Sequence, residues 1–233
     1  MTDIPKIKLN DGNEIPQLGF GVFQIPNHDD AVKAVESAIR NGYRLIDTAE
    51  AYNNQTAVGE AIKNSDVNRD DIFLTTKLWV SNFWPDQLIN LQLMSNVKPV
   101  VNQIEVNPWF QREPEVKWNQ KDDVAVEAWA PFVEGKDCIF TNPVLAESGK
   151  KYGKSNSQVI LRWLIQRGII VIPKSVHDAR QKENIDVFDF ELSDDDMQKI
   201  AELDKNVSQF FDDHHDPATI EQIFGSSLSR LRR

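Results

Sequence analysis

The sequence predicts an α/β fold built on a parallel, barrel-forming sheet, and three observations predict it. Six short apolar runs alternate with segments of helical spacing along the chain. The runs are nearly continuous in apolar residues, as strands covered on both faces are. Polar residues gather at their C-terminal ends, where a β/α barrel carries its chemistry: Asp47, Lys77, Gln103, Glu105, Lys174 and Ser175. The competing architecture, a doubly wound nucleotide-binding sheet, carries G-x-G-x-x-G after an early strand. Here Gly19-Phe20-Gly21 runs on as Val22-Phe23-Gln24, so the third glycine is missing and the barrel is preferred.

The elements follow in order. In "KIKLNDGNEIPQLGFGVF" the turn signal Asn10-Asp11-Gly12 separates two extended runs, which predicts an opening β-hairpin. The six strand candidates are "LGFGVF", "YRLIDTA", "DIFLTTKLW", "PVVNQIEVN", "VAVEAWAPF" and "GIIVIPKS". Between the first two, Ala31, Val35, Ala38 and Ile39 fall on one helical face, with Gly42 as the stop. Ser155 is placed to cap "NSQVILRWLIQRG", whose Val159, Trp163 and Leu164 share a face. Ser193 is placed to cap "DDDMQKIAELDK", and its acidic first turn suits the helix dipole. No linker or low-complexity tract interrupts the chain, so residues 1–233 read as one domain. Residues 212–233, ending in "SSLSRLRR", read as a flexible solvated tail.

Composition excludes several classes. With 40% hydrophobic and 27% charged residues, 233 residues suffice for a buried core. No apolar run approaches the roughly 20 residues of a membrane span, and "MTDIPKIKLNDG" lacks a signal-peptide core. A net charge of -10 argues against sequence-independent nucleic-acid binding. The single cysteine, Cys138, forbids an intramolecular disulfide and fits a reducing cytoplasm.

Chemistry enters at Asp47, which closes "RLI" and is costly to bury without a cation. Tyr52 follows five residues later, and Lys77 closes the third strand. An ammonium beside a phenol stabilises phenolate, which lowers its pKa from about 10 and makes Tyr52 a better proton donor. A structural ion pair beside an ordinary core-edge tyrosine fits the same spacing. The turn "PKSVHDAR" is locally basic in an acidic protein and suits a phosphate, or else is a solvated helix start.

Taken together, "GFGVFQ", "GYRLIDTAEAYNNQTAVGEAI", "IFLTTKLW", "SNF", "VVNQIEVNPW", "AWAPF" and "IPKSVHDARQKEN" resemble the motifs of the aldo-keto reductase family, in order. The likeness is greatest to the bacterial reductases of small carbonyl compounds and keto-sugars. It implies a (β/α)8 barrel of the TIM type and NADPH-dependent reduction of a small carbonyl substrate, by a monomer. It also implies roles. Tyr52 is similar to the general acid, supported by Asp47 and Lys77; Gly21, Val22 and Phe23 match cofactor-contacting positions. Ser81, Asn82 and Gln103 match positions that hold the nicotinamide carboxamide, and Trp129 the aromatic on which its ring stacks. Lys174, Ser175, Val176 and Arg180 match the 2'-phosphate site, Glu183 and Asn184 lie near the adenine, and Trp79 and Trp109 line the substrate pocket. No metal is implied.

One departure stands out. In the family, a fourth strand ending in a catalytic histidine and a fifth ending in "SNF" follow the lysine strand. Here Lys77-Leu78-Trp79-Val80-Ser81 runs directly into Asn82-Phe83. Two βα units, roughly 60 residues at about 30 per unit, are missing at about residues 80–82, leaving six of eight strands. His28, His177, His214 and His215 all lie away from a strand end of that kind. An incomplete barrel exposes strand edges, which predicts self-association, and the alternative to a working reductase is a catalytically inactive nicotinamide-binding or structural remnant of the family.

Overall fold

The structure is a computed structural model and describes residues 4–77, 99–208 and 210. Strands β1 (Lys6–Lys8) and β2 (Glu14–Pro16) form the expected antiparallel hairpin. Its turn turns on Gly12, at φ +91°, a backbone angle that a side chain disfavours. Leu9 and Ile15 from this hairpin are buried with Leu45, Ile170 and Ile172, and Phe73, Val101 and Ala125 pack against them. Most of these partners begin strands, so the hairpin floors the sheet from below.

All six expected parallel strands are present. One sheet has the order β3 (Phe20–Gly21), β4 (Leu45–Asp47), β5 (Phe73–Thr75), and a second the order β6 (Val101–Glu105), β7 (Ala125–Trp129), β8 (Ile170–Val171). A parallel bridge between Leu18 and Val171 joins them, with Gly19 N–H donating to Val171 O at 2.8 Å. The result is one arc, β6-β7-β8-β3-β4-β5. Among the described residues no ladder joins β5 to β6, so the arc stays open there. Burial follows the opening. β4 is buried throughout, whereas Leu74 of β5 is 37% exposed and Val101 to Ile104 of β6 are only half-buried. The expected junction at residues 80–82 and the expected tail at 212–233 lie outside the described residues.

Helices cover the outside: α1 (His28–Arg40), α2 (Gln55–Asn64), α3 (Glu113–Lys121), α4 (Pro143–Tyr152), α5 (Asn156–Gln166), α6 (Asp178–Ile185) and α7 (Asp194–Ala201). Local chemistry sets their ends. Ser155 accepts from Gln158 N–H at 3.3 Å while the Gln158 side chain accepts from Ser155 N–H at 3.1 Å, a reciprocal cap. Ser193 caps α7 from Asp196 N–H at 3.2 Å. Ala31, Val35, Ala38 and Ile39 are all buried, and Gly42 leaves α1 at φ +103°. The α5 face of Val159, Trp163 and Leu164 is buried in the same core. Among the described residues no helix is long and apolar enough to cross a membrane.

Candidate active site

Asp47 ends β4 and is 2% exposed, so its charge must be answered locally. Parallel register sets it opposite Gly21 and Thr75. Thr75 Oγ1 donates to Oδ1 at 2.7 Å, and Lys77 Nζ reaches both carboxylate oxygens at 2.6 Å. Lys77 also donates to Thr48 O at 3.0 Å. From the other side of the interior, Gln103 Nε2 donates to Asp47 Oδ1 at 3.3 Å. A β4 aspartate, a lysine beyond β5 and a β6 glutamine thus form one network.

Tyr52 stands over it in the short helical turn Glu50–Tyr52. Asn54 anchors that turn, accepting from Thr48 Oγ1 at 2.9 Å and donating to Val22 O at 2.9 Å and Ile25 O at 3.3 Å. Lys77 Nζ lies 5.3 Å from the Tyr52 ring centroid, and the Phe23 ring is 5.0 Å away. The three residues expected to work together therefore meet.

Their electrostatics correct one expectation. Lys77 was expected to lower the phenol pKa, but Tyr52 is pushed up to about 12. Burial contributes most, followed by the Asp47 and Glu127 carboxylates. The lysine charge is spent on Asp47, with which it pairs closely, and so does little for the phenol.

Glu127 is the residue that sequence reading missed. It faces Gln103 in the β6–β7 register, is 2% exposed, and its Oε1 accepts from Gln103 Nε2. Its other oxygen, Oε2, is buried with no hydrogen-bond partner among the described residues. Strand alternation was the available signal, since Glu127 lies two residues before Trp129 and so on its face of β7. Burial and the neighbouring Asp47 raise its carboxyl to about 7, against the opposing pull of Gln103 and Lys77.

The expected cofactor residues are distributed around this centre. Gly21 ends β3, where an added Cβ would come within 2.8 Å of Ile172 O, so only glycine fits the close strand approach. Trp129 ends β7 and its ring meets that of Phe210 at a tilt of 53°, centroids 5.2 Å apart. On the loop from β8 into α6, Ser175 is buried and accepts from His177 N–H at 3.1 Å, while Lys174, Val176 and Arg180 are exposed. Glu183 accepts from Ser155 Oγ, tying α6 to α5, and Asn184 is buried. Trp109 is buried after β6, with Lys205 Nζ 5.3 Å from its ring centroid and an indole N–H that has no partner among the described residues. Trp79, Ser81 and Asn82 lie outside the described residues. The donor set fits a phosphorylated dinucleotide: two exposed cations flank a helix start on the loop that leaves the sheet holding Asp47 and Gln103.

A model of the Aldo/keto reductase family matches residues 17–89 and 139–205. The chain is similar to methylglyoxal reductase DkgA of Escherichia coli strain K12, 35% identical over 257 residues that take in 85% of this chain and 93% of the relative. Since 85% of 233 residues is about 198, some 60 of those 257 positions face no residue of this chain. Among solved structures, an aldo/keto reductase from Brucella melitensis is 38% identical with a TM-score of 0.81, covering 87% of this chain and 100% of that one. A Bombyx mori aldo-keto reductase complexed with NADPH is 29% identical with a TM-score of 0.80, covering 90% of each chain.

Proposed function

The chain belongs to the aldo/keto reductase family and is an NADPH-dependent oxidoreductase, and from that premise we propose that it reduces small aldehydes and ketones to alcohols with Tyr52 as proton donor. The Asp47–Lys77–Tyr52 constellation carries the reading. NADPH, when bound, supplies the hydride. Tyr52 stays protonated throughout the neutral range and gives its proton to the carbonyl oxygen as that oxygen becomes alkoxide-like. A weak acid suffices, because an alkoxide is the stronger base. Asp47 holds Lys77 beside the ring, and the turn anchored by Asn54 holds the hydroxyl at the rim of the sheet.

Gly21, Val22, Phe23, Ser81, Asn82, Gln103 and Trp129 are the proposed nicotinamide contacts. Lys174, Ser175, Val176, Arg180, Glu183 and Asn184 are proposed for the adenosine phosphate end, and Trp79 and Trp109 for the substrate pocket. The Escherichia coli relative is named for methylglyoxal, so a small oxoaldehyde is the first substrate to try. Purified protein should consume NADPH only when aldehyde is present, and Tyr52→Phe should lose about 10²- to 10⁴-fold in rate. A Tyr52→Phe protein as fast as its parent would overturn the assignment.

The chain's shortness favours a second reading, in which it binds nicotinamide dinucleotide without turning it over. In the same assay that protein binds NADPH, and no aldehyde accelerates its oxidation.

A further inference from the structure

Glu127 is a buried carboxylate for which the proton-transfer scheme above has no use. It sits on β7, opposite Gln103, and is 2% exposed. Gln103 Nε2 is shared between Glu127 Oε1 and Asp47 Oδ1, so one amide couples two carboxylates from opposite sides of the interior. Glu127 Oε2 is buried and has no partner among the described residues.

The charged groups facing it can be enumerated by element. β4 presents Asp47, the chain beyond β5 presents Lys77, and the turn after β4 presents Tyr52. β6 presents Gln103, which is neutral, while its other carboxylate, Glu105, is engaged by Asn107 and Ser208. β8 presents only Ile170 and Val171. Among the described residues two carboxylates therefore share one ammonium, and Lys77 is bound to Asp47 through both oxygens. Ionising Glu127 as well would leave a buried negative charge with no further cation among the described residues, and one oxygen without a hydrogen bond.

We infer that Glu127 is a positioning residue of the reductase site: in its protonated form it keeps the Asp47–Lys77–Tyr52 centre neutral and holds Gln103, and its ionisation slows proton donation by Tyr52. This deepens the reductase reading and rests on it. The sign follows from charge. An ionised Glu127 adds a second anion beside the phenol, tightens its hold on the proton, and opposes negative charge on the carbonyl oxygen. A neutral Glu127 does neither. The carboxyl is raised to about 7, so the change falls within the working range of pH.

Two measurements test this. First, the parent's kcat for a small aldehyde with saturating NADPH should be flat below about pH 7 and fall above it to a lower plateau. Glu127→Gln, neutral at every pH, should lose that alkaline limb, and Glu127→Asp should keep one. A residue that only packs the interior would lower Tm and leave the shape of the profile unchanged. Second, infrared spectra of the parent should show a protonated-carboxyl stretch on the acid side of neutrality that fades on the alkaline side and is missing in Glu127→Gln. Carboxyl-labelled glutamate in the parent gives the same reading if the Gln variant does not fold. A Gln variant with the parent's pH profile, or a parent whose Glu127 is ionised throughout the neutral range, overturns the proposal. If the protein turns over no carbonyl, the reductase reading fails and the infrared result alone decides whether Glu127 holds the proton.

Discussion

Tyr52 and Arg180 show two different uses of charge at single residues. Tyr52 lies in a partly buried turn near two carboxylates and one lysine, and the lysine is already committed to Asp47. Its hydroxyl is therefore a poor acid at rest, suited to an oxygen that becomes strongly basic during reaction. Arg180 is exposed on the first turns of α6. A charged hydrogen bond to phosphate contributes about 1.5–3 kcal/mol. Arg180→Ala should therefore weaken NADPH binding about tenfold or more and leave NADH binding unchanged, as isothermal titration would measure. Equal loss for both cofactors would remove the arginine from the 2'-phosphate.

At the scale of elements, helix ends do double duty. The Ser155 hydroxyl caps α5 and also donates to Glu183 of α6, so one side chain fixes a helix start and the docking of its neighbour. Ser155→Ala should cost about 1 kcal/mol from the cap, a fall in Tm of about 2–4 °C for a chain of this size. A calorimetric scan with unchanged Tm would contradict it. Asp196 works similarly between α4 and α7. It is fully buried, which alone would raise its carboxyl, but Lys151, Tyr152, Ser193 and Ser148 hydrogen-bond to it and hold it well below the usual carboxylate range. A depressed folded-state pKa contributes stability above the unfolded value of 3.8 and loses it as pH falls through and below that value. The urea midpoint of the parent should therefore drop between neutrality and about pH 3, more steeply than that of Asp196→Asn.

At the scale of the molecule, no ladder joins β5 to β6 among the described residues. Of the six parallel strands, β5 and β6 are the most exposed, and they are the two end strands of the arc. Unpaired strand edges attract other strands. We propose that two βα units are absent between them and that the chain self-associates or is weakly stable for that reason. Inserting the two missing units, with a histidine at the fourth strand end, should raise Tm, yield monomer in sedimentation velocity and increase aldehyde turnover. A chain that is already monomeric, cooperatively folded and unimproved by the insertion would refute this.

Element order, both serine caps, the Gly42 stop and the opening hairpin were legible because each depends on a few neighbouring residues and a fixed repeat. The Asp47, Tyr52 and Lys77 set was legible for a similar reason, since polar residues that end apolar strands must come together at one end of a parallel sheet. Only the tertiary structure decided the balance of charge within that set. Lys77 answers Asp47 across β4 and β5, and Glu127 enters from β7, far away in sequence. Burial and Coulomb interactions depend on distance in space, so no spacing along the chain could say that Tyr52 would be pushed up rather than down.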